Sequence, residues 1–284
     1  MKTFIYLTSY LVFAPLLGGL LAGVDRRISA RMQARVGPPI LQPFYDVLKL
    51  FEKENMVVQA SQNFYIMFFL VFVIFTGALF FTGQDLLLII FSLTLAGIFF
   101  VLGGFKASSP YSHAGAQREL IQMMAYEPMI LFAAIGMYMV TRSFYISDIA
   151  SFRTPLVFYL PAIFAGFVYI LIIKFRKSPF DLSMSHHAHQ EIVRGITTEF
   201  SGPTLALIEI AHWYENIFLL GFVCLFFTGN IWLALLAAAA TYFLEIFIDN
   251  AFARVRWQKV LKISWFVALF LGMGNIAVLQ FLKR

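Results

Sequence analysis

The sequence predicts an all-α integral membrane protein of about eight transmembrane helices with one short amphipathic cytoplasmic helix. Three observations predict it. The 284 residues are 61% hydrophobic and only 13% charged, with a mean hydropathy of +0.81, which is more apolar surface than a soluble fold of this size can hide. The apolar residues come in runs long enough to cross a bilayer, which takes about 20 residues. Of the 21 Lys and Arg residues, sixteen fall in alternate connections between those runs, as in a chain threaded with its basic loops in the cytoplasm.

The runs are Phe4–Val24, Phe64–Gly83, Leu86–Phe105, Leu120–Val140, Leu156–Ile173, Thr204–Phe227, Ile231–Ala251 and Ile263–Leu282. They fill a single polytopic membrane domain over residues 1–284, with cytoplasmic loops at about 25–60, 105–119, 174–202 and 252–262. The first run is followed by its basic cluster (Arg26, Arg27, Arg31, Arg35), and no small-residue cleavage site succeeds Leu21-Ala-Gly23. It is therefore expected to be retained and not removed as a signal peptide. The basic bias puts both termini outside the cytoplasm. It also explains the net charge of +6 as a topology signal, so nucleic acid is not an expected partner.

Within the first loop, Arg35-Val-Gly-Pro-Pro-Ile-Leu-Gln-Pro43 is broken by three prolines and a glycine and cannot form one helix. After Pro43, Phe44, Val47, Leu48 and Phe51 recur at i, i+3, i+4 and i+7, opposite Asp46, Lys49, Glu52 and Lys53. That spacing predicts an amphipathic helix for the membrane interface or a partner surface. The fourth run places Glu119 at the cytoplasmic edge and Glu127 eight residues deeper, about 12 Å at helical rise. The sixth opens at Ser201-Gly202-Pro203, with a proline suited to a first helical turn. Glu209, His212 and Glu215 then recur every third residue as a slowly rotating ladder. Glu245 and Asp249 stand at i, i+4 near the cytoplasmic end of the seventh run.

An ionisable side chain in hydrocarbon costs roughly 2.5–3.5 kcal/mol, so its default reading is an ion or proton pathway. Glu127, Glu209, His212 and Glu215 are the members expected of such a path, with Glu245 and Asp249 as further possible ones. The competing reading is interhelical glue, each acid fixed to a partner; Asp249 in particular stands close enough to Arg254 or Arg256 to pair with one of them. His186, His187 and His189 match no closed zinc-site spacing, and no thiolate joins them. They suit a polar contact with a partner, with protons passing toward Glu191. Cys224 is the one cysteine. With no Cys-x-x-Cys pair, dinucleotide fingerprint or phosphate loop, no redox cofactor and no metal are expected in this chain. No serine–histidine–acid arrangement is readable, so catalysis by this chain alone is not expected.

Gly115-Ala-Gln-Arg-Glu-Leu-Ile-Gln-Met-Met-Ala-Tyr-Glu127, Ser178-Pro-Phe-Asp-Leu182 and Glu191-Ile-Val-Arg-Gly195 running to Glu199-Phe-Ser-Gly202 resemble the complex I subunit 1 superfamily. So do Arg35-Val-Gly-Pro and Leu41-Gln-Pro-Phe-Tyr-Asp-Val-Leu-Lys-Leu-Phe-Glu-Lys-Glu54. The resemblance covers nearly the whole chain and implies eight spans with an external N-terminus. Ser185-His-His-Ala-His-Gln-Glu191 and Ala211-His-Trp-Tyr-Glu215 most resemble the membrane-anchor subunit of energy-converting (group 4) nickel–iron hydrogenases, the formate hydrogenlyase and membrane-bound hydrogenase type. Quinone-reducing members carry several more residues between Arg-x-Gly-Pro and Leu-Gln-Pro; here Pro38-Pro39-Ile40-Leu41 closes the gap directly.

The resemblance implies a subunit in a prokaryotic cytoplasmic membrane, docking hydrogenase large and small subunits on its cytoplasmic face beside antiporter-like and small membrane subunits. The nickel–iron centre and iron–sulfur clusters would belong to those partners. Family acids carry over to Glu127, Glu191 and Glu199 by motif, and to Glu209 and Glu215 as neighbours of the aligned position, which here is His212. Arg35, Gln42, Asp46, Lys49, Asp181 and the three histidines would face the docked module. The alternatives are a quinone-binding subunit of a complex I-type NADH or F420H2 dehydrogenase, the same subunit in a sulfur-reducing relative, and a stand-alone secondary transporter.

Overall fold

The computed structural model describes residues 2–56, 60–184 and 193–282. Among them there is no strand, and seven helices are long and apolar enough to cross a membrane. In order, the helices are α1 (Lys2–Met32), α2 (Gln42–Phe51), α3 (Ala60–Phe81), α4 (Leu86–Phe105), α5 (Pro110–Thr141) and the short α6 (Ile146–Ala150). Then come α7 (Pro161–Lys174), α8 (Gly202–Leu225), α9 (Ile231–Ala251), α10 (Trp257–Val267) and α11 (Gly274–Leu282). Starts follow local chemistry. The Asp85 side chain accepts from the backbone N–H groups of Leu87 and Leu88 to cap α4, and Asn230 caps α9 in the same way. Prolines occupy the first turns of α2, α5, α7 and α8, where a missing N–H costs nothing.

Contacts between helix ends define two sides. On one, the Thr228 hydroxyl donates to Thr154 O at 2.9 Å and Val157 N–H to Phe226 O at 2.9 Å. On the other, Lys177 meets Asp25 at 2.6 Å, Arg254 meets Asp181 at 3.1 Å, and the Thr204 hydroxyl donates to Asn63 Oδ1 at 2.6 Å. The segment from 155 to 177 therefore runs from the first side to the second, with α7 along it as a shorter apolar helix beside the seven.

That segment departs from expectation. The run Leu156–Ile173 is not one helix: a 3-10 turn at Leu156–Phe158 is followed by α7 of 14 residues. At helical rise that is about 21 Å, short of the ~30 Å hydrocarbon core. Broken backbone at depth survives only when its polar groups find partners, and here Asn275 supplies them. Its Oδ1 accepts from Ala162 N–H (3.1 Å) and Ile163 N–H (3.2 Å), while its Nδ2 donates to Tyr159 O (3.0 Å). Asn275→Leu is expected to cost about 2–4 kcal/mol by stranding these buried groups. Detergent unfolding midpoints check it; a wild-type midpoint would show that the cap carries no stability.

Several spans also overrun their expected limits. α1 continues through Arg26, Arg27 and Arg31 because nothing interrupts it before Ala34, at φ +57, and Gly37, at φ +75. α5 starts at Pro110, so the expected loop at 105–119 is mostly helix. The last span begins at Trp257 and contains a π-helical stretch, Ala268–Met273. The predicted amphipathic helix is present as α2, but its buried face is rotated. Pro43 and Val47 are buried, whereas Leu48 and Phe51 are exposed. The reason is the fit against α8: Val47 packs with Ala206 and Trp213, and the Phe44 ring lies 5.2 Å from Trp213.

Candidate functional site

At the end of α7 the chain turns sharply, with Arg176 held at φ +53. A side-chain-bearing residue in that region persists only where its surroundings fix it, and ion pairs do so here. Arg176 Nη2 lies 3.0 Å from Glu119 Oε1 on α5, and its Nη1 lies 3.4 Å from Glu215 Oε2 on α8. Lys174 Nζ sits 2.7 Å from Glu215 Oε1. The Ser183 hydroxyl donates to the second oxygen of Glu119. Two acids and two cations balance, all four side chains no more than 11% exposed.

Aromatic faces enclose the cluster: Tyr126 lies 4.4 Å from the Lys174 ammonium and Phe100 lies 5.4 Å from the Arg176 guanidinium. Burial alone works against the Arg176 charge, but Glu119 and then Glu215 outweigh it and hold the guanidinium above its ordinary range. The loop carrying Ser183 is tied down in turn. Gln122 Nε2 donates to Phe180 O at 2.5 Å, and Ile196 N–H donates to Ser183 O at 2.9 Å. A side chain at Gly115 would overlap the Ile196 backbone, so α5 admits this loop only through a glycine.

The predicted pathway residues are not all gathered here. Glu215 is in the cluster, and His212 lies beside it, within electrostatic reach of Glu215 and edge-on to Phe69 and Phe100 with centroids at 5.9 Å. Glu209 is half-buried and makes no hydrogen bond or ion pair with another described residue. Two steps of three residues rotate it about 120° from Glu215, which points it at a different neighbour. Glu127 is half-buried on α5, with Thr94 of α4 within hydrogen-bonding reach. Glu199 is half-buried just after the turn Gly195–Thr197. Glu191, His186, His187 and His189 lie outside the described residues.

Asp249 pairs with neither Arg254 nor Arg256. It accepts from Ser178 N–H at 2.8 Å and faces Lys177 at 3.6 Å, because Arg254 is taken by Asp181. Asp181 is thus buried and held by Arg254. Asp46 is held by Arg26 at 2.6 Å and Gln42 at 2.8 Å, while Arg35 and Lys49 are exposed. Partial burial would raise the Asp46 pKa, but the bonds from Arg26 and Gln42 outweigh it and lower it. The Arg26–Asp46 tie is therefore present above the ordinary aspartate range and lost as pH falls through the depressed value.

Glu119, Lys174, Arg176, Lys177 and Asp25 were not anticipated as members of a site. Sequence position marks the three cations as loop charges and Glu119 as a residue of the cytoplasmic edge. A signal was present: Lys174, Arg176 and Lys177 close an apolar run, where buried acids nearby demand counter-ions. Elsewhere, a cleft of about 290 Å³ between α1, α8 and α9 is lined by apolar groups including Leu21, Val24, Leu220, Ala238 and Ile246. It suits a hydrocarbon chain and carries no charge for an ion path.

The family described as NADH dehydrogenase matches residues 5–280. The chain is 30% identical over 310 residues to NADH-ubiquinone oxidoreductase chain 1 of Paracentrotus lividus, covering 96% of this chain and 93% of that one. It is 27% identical over 294 residues to hydrogenase-4 component C of Escherichia coli, covering 92% and 91%. In fold it resembles a chain of the membrane-bound sulfane sulfur reductase, an archaeal respiratory membrane complex, with a TM-score of 0.88, 23% identity and coverage of 98% and 100%. The chain therefore belongs to the NADH dehydrogenase subunit 1 family, membrane subunits of complex I-like and hydrogenase-4-related respiratory complexes.

Proposed function

We propose that this chain is the membrane subunit of an energy-converting hydrogenase complex, coupling the redox reaction of a docked hydrogenase module to proton or sodium translocation. The observation that carries the reading is the closed Glu119–Arg176–Glu215–Lys174 cluster, buried where the basic side of the bundle meets the docking loops. Arg176 shares its fork between two acids. A charge or displacement arriving through the loop of Ser183 changes that sharing, and the acid released becomes a proton acceptor. His212 and Glu127 lie on the two helices that supply the acids and would carry the change into the bundle. The chain itself performs no redox chemistry; the nickel–iron and iron–sulfur centres would sit in partner subunits on the cytoplasmic face of a prokaryotic membrane, with both termini on the opposite side.

The hydrogenase branch is favoured by the short first loop. Ile40 O presses directly on Gly23 of α1, and Phe44, Val47 and Trp213 give the contact between α2 and α8 an apolar lining. In the assembled complex, Glu127→Gln is expected to lower ion translocation by about tenfold or more with the catalytic module still bound. Wild-type gas evolution together with wild-type translocation would remove Glu127 from the relay. A co-purifying subunit with two Cys-x-x-Cys pairs supports hydrogenase, whereas inhibition by quinone-site ligands would replace it with the quinone-reducing alternative.

A further inference from the structure

Lys177 follows Arg176 in sequence yet serves a different set of acids. Its ammonium lies 2.6 Å from Asp25 on α1 and 3.6 Å from Asp249 on α9, with its side chain 7% exposed. One turn before Asp249 stands Glu245, fully buried. Among the described residues no hydrogen-bond donor reaches either oxygen of its carboxyl, although Lys177 and Asp249 lie within electrostatic reach.

The charged groups that act on Glu245 are Lys177, in the turn after α7, and Asp249 on α9; Asp25 on α1 meets Lys177, and Tyr242 stands three residues before Glu245 on α9. The Tyr242 hydroxyl is spent on Leu21 O at 3.3 Å. α8 also packs on α9, but its Glu215 is taken by Lys174 and Arg176. Three carboxyls thus surround one ammonium. Asp25 receives Lys177 and the Ser29 hydroxyl (3.4 Å), and Asp249 receives Ser178 N–H (2.8 Å). Glu245 receives nothing from the described residues. A buried carboxylate without a donor costs several kcal/mol, and a neutral acid far less.

We infer that Glu245 is a proton-binding site, neutral in this arrangement, and that on losing its proton it draws Lys177 away from Asp25. The proton leaves as H⁺ and the carboxylate takes the ammonium as its counter-ion. The Lys177–Asp25 tie between α1 and the turn carrying Arg176 then loosens. The site is separate from the Glu119–Arg176–Glu215–Lys174 cluster but joined to it by one peptide unit. Its use in coupling rests on the function proposed above; its proton occupancy does not.

Infrared spectroscopy of the assembled complex tests it, because it reads protonation and not turnover. At neutral pH the wild-type spectrum is expected to contain a deuterium-sensitive carboxylic-acid C=O band that Glu245→Gln removes and Asp249→Asn leaves. Raising the pH bleaches that band, and Lys177→Met raises the midpoint by about one unit or more, since the cation that favours the carboxylate is gone. Where the Gln variant fails to assemble, Glu245→Asp keeps an acid with a shifted band and serves instead. A spectrum unchanged by substitution at Glu245, or a midpoint unmoved in Lys177→Met, overturns the assignment.

Discussion

Glu215→Gln is expected to destabilise the assembled protein by about 3–5 kcal/mol, the typical cost of removing one partner from a buried ion pair. The Lys174 ammonium, 2.7 Å away, loses its counter-ion, and Arg176 loses one of its two acids. Lys174 cannot escape to water, because its side chain is 4% exposed and sits over the Tyr126 ring. Adding Lys174→Met removes the stranded charge and leaves Arg176–Glu119 as a single neutral pair. Replacing a buried pair by uncharged groups is often close to neutral, so the double variant should recover at least half of the loss. Unfolding midpoints in detergent measure both; a double variant no more stable than Glu215→Gln alone would mean that charge balance is not what holds these helices together.

Arg176→Gln should be comparably severe, about 3–5 kcal/mol by the same mechanism, and should damage coupling more than any single acid does. Among the described residues it leaves Glu119 buried with only the Ser183 hydroxyl, since Lys174 pairs with Glu215. Arg176→Lys separates two ideas about this residue. Lysine keeps the charge but lacks the planar fork that spans two carboxylates. If bridging matters, Lys restores part of the stability yet leaves ion translocation below wild type by about tenfold or more. Wild-type translocation in Arg176→Lys would reduce the residue to a point charge.

The bundle was legible in the sequence because apolar runs, prolines at first turns and the alternation of basic connections are local signals. Three features were not. The overrun of α1 through Arg31 looked like loop because charge, not helix propensity, marked the end of the predicted span. The break before α7 depends on Asn275, more than a hundred residues away, and no window of sequence shows it. The rotated face of α2 is set by Trp213, a partner that its own periodicity does not reveal. The site divides in the same way. Three-residue spacing singled out α8, and Glu215 does face other ionised groups. Its counter-ions Lys174 and Arg176, like Lys177 beside them, were hidden because such charges at the end of an apolar run also mark sidedness, when all three turn inward.

The most direct measurement is ion uptake into proteoliposomes bearing the whole complex with the Lys174→Met, Glu215→Gln double substitution, compared with wild type under the same reductant. The buried charge cluster predicts that this correctly assembled variant moves ions at no more than about one tenth of the wild-type rate. Uptake at the wild-type rate would contradict it, leaving the cluster a structural clasp with no part in energy conversion.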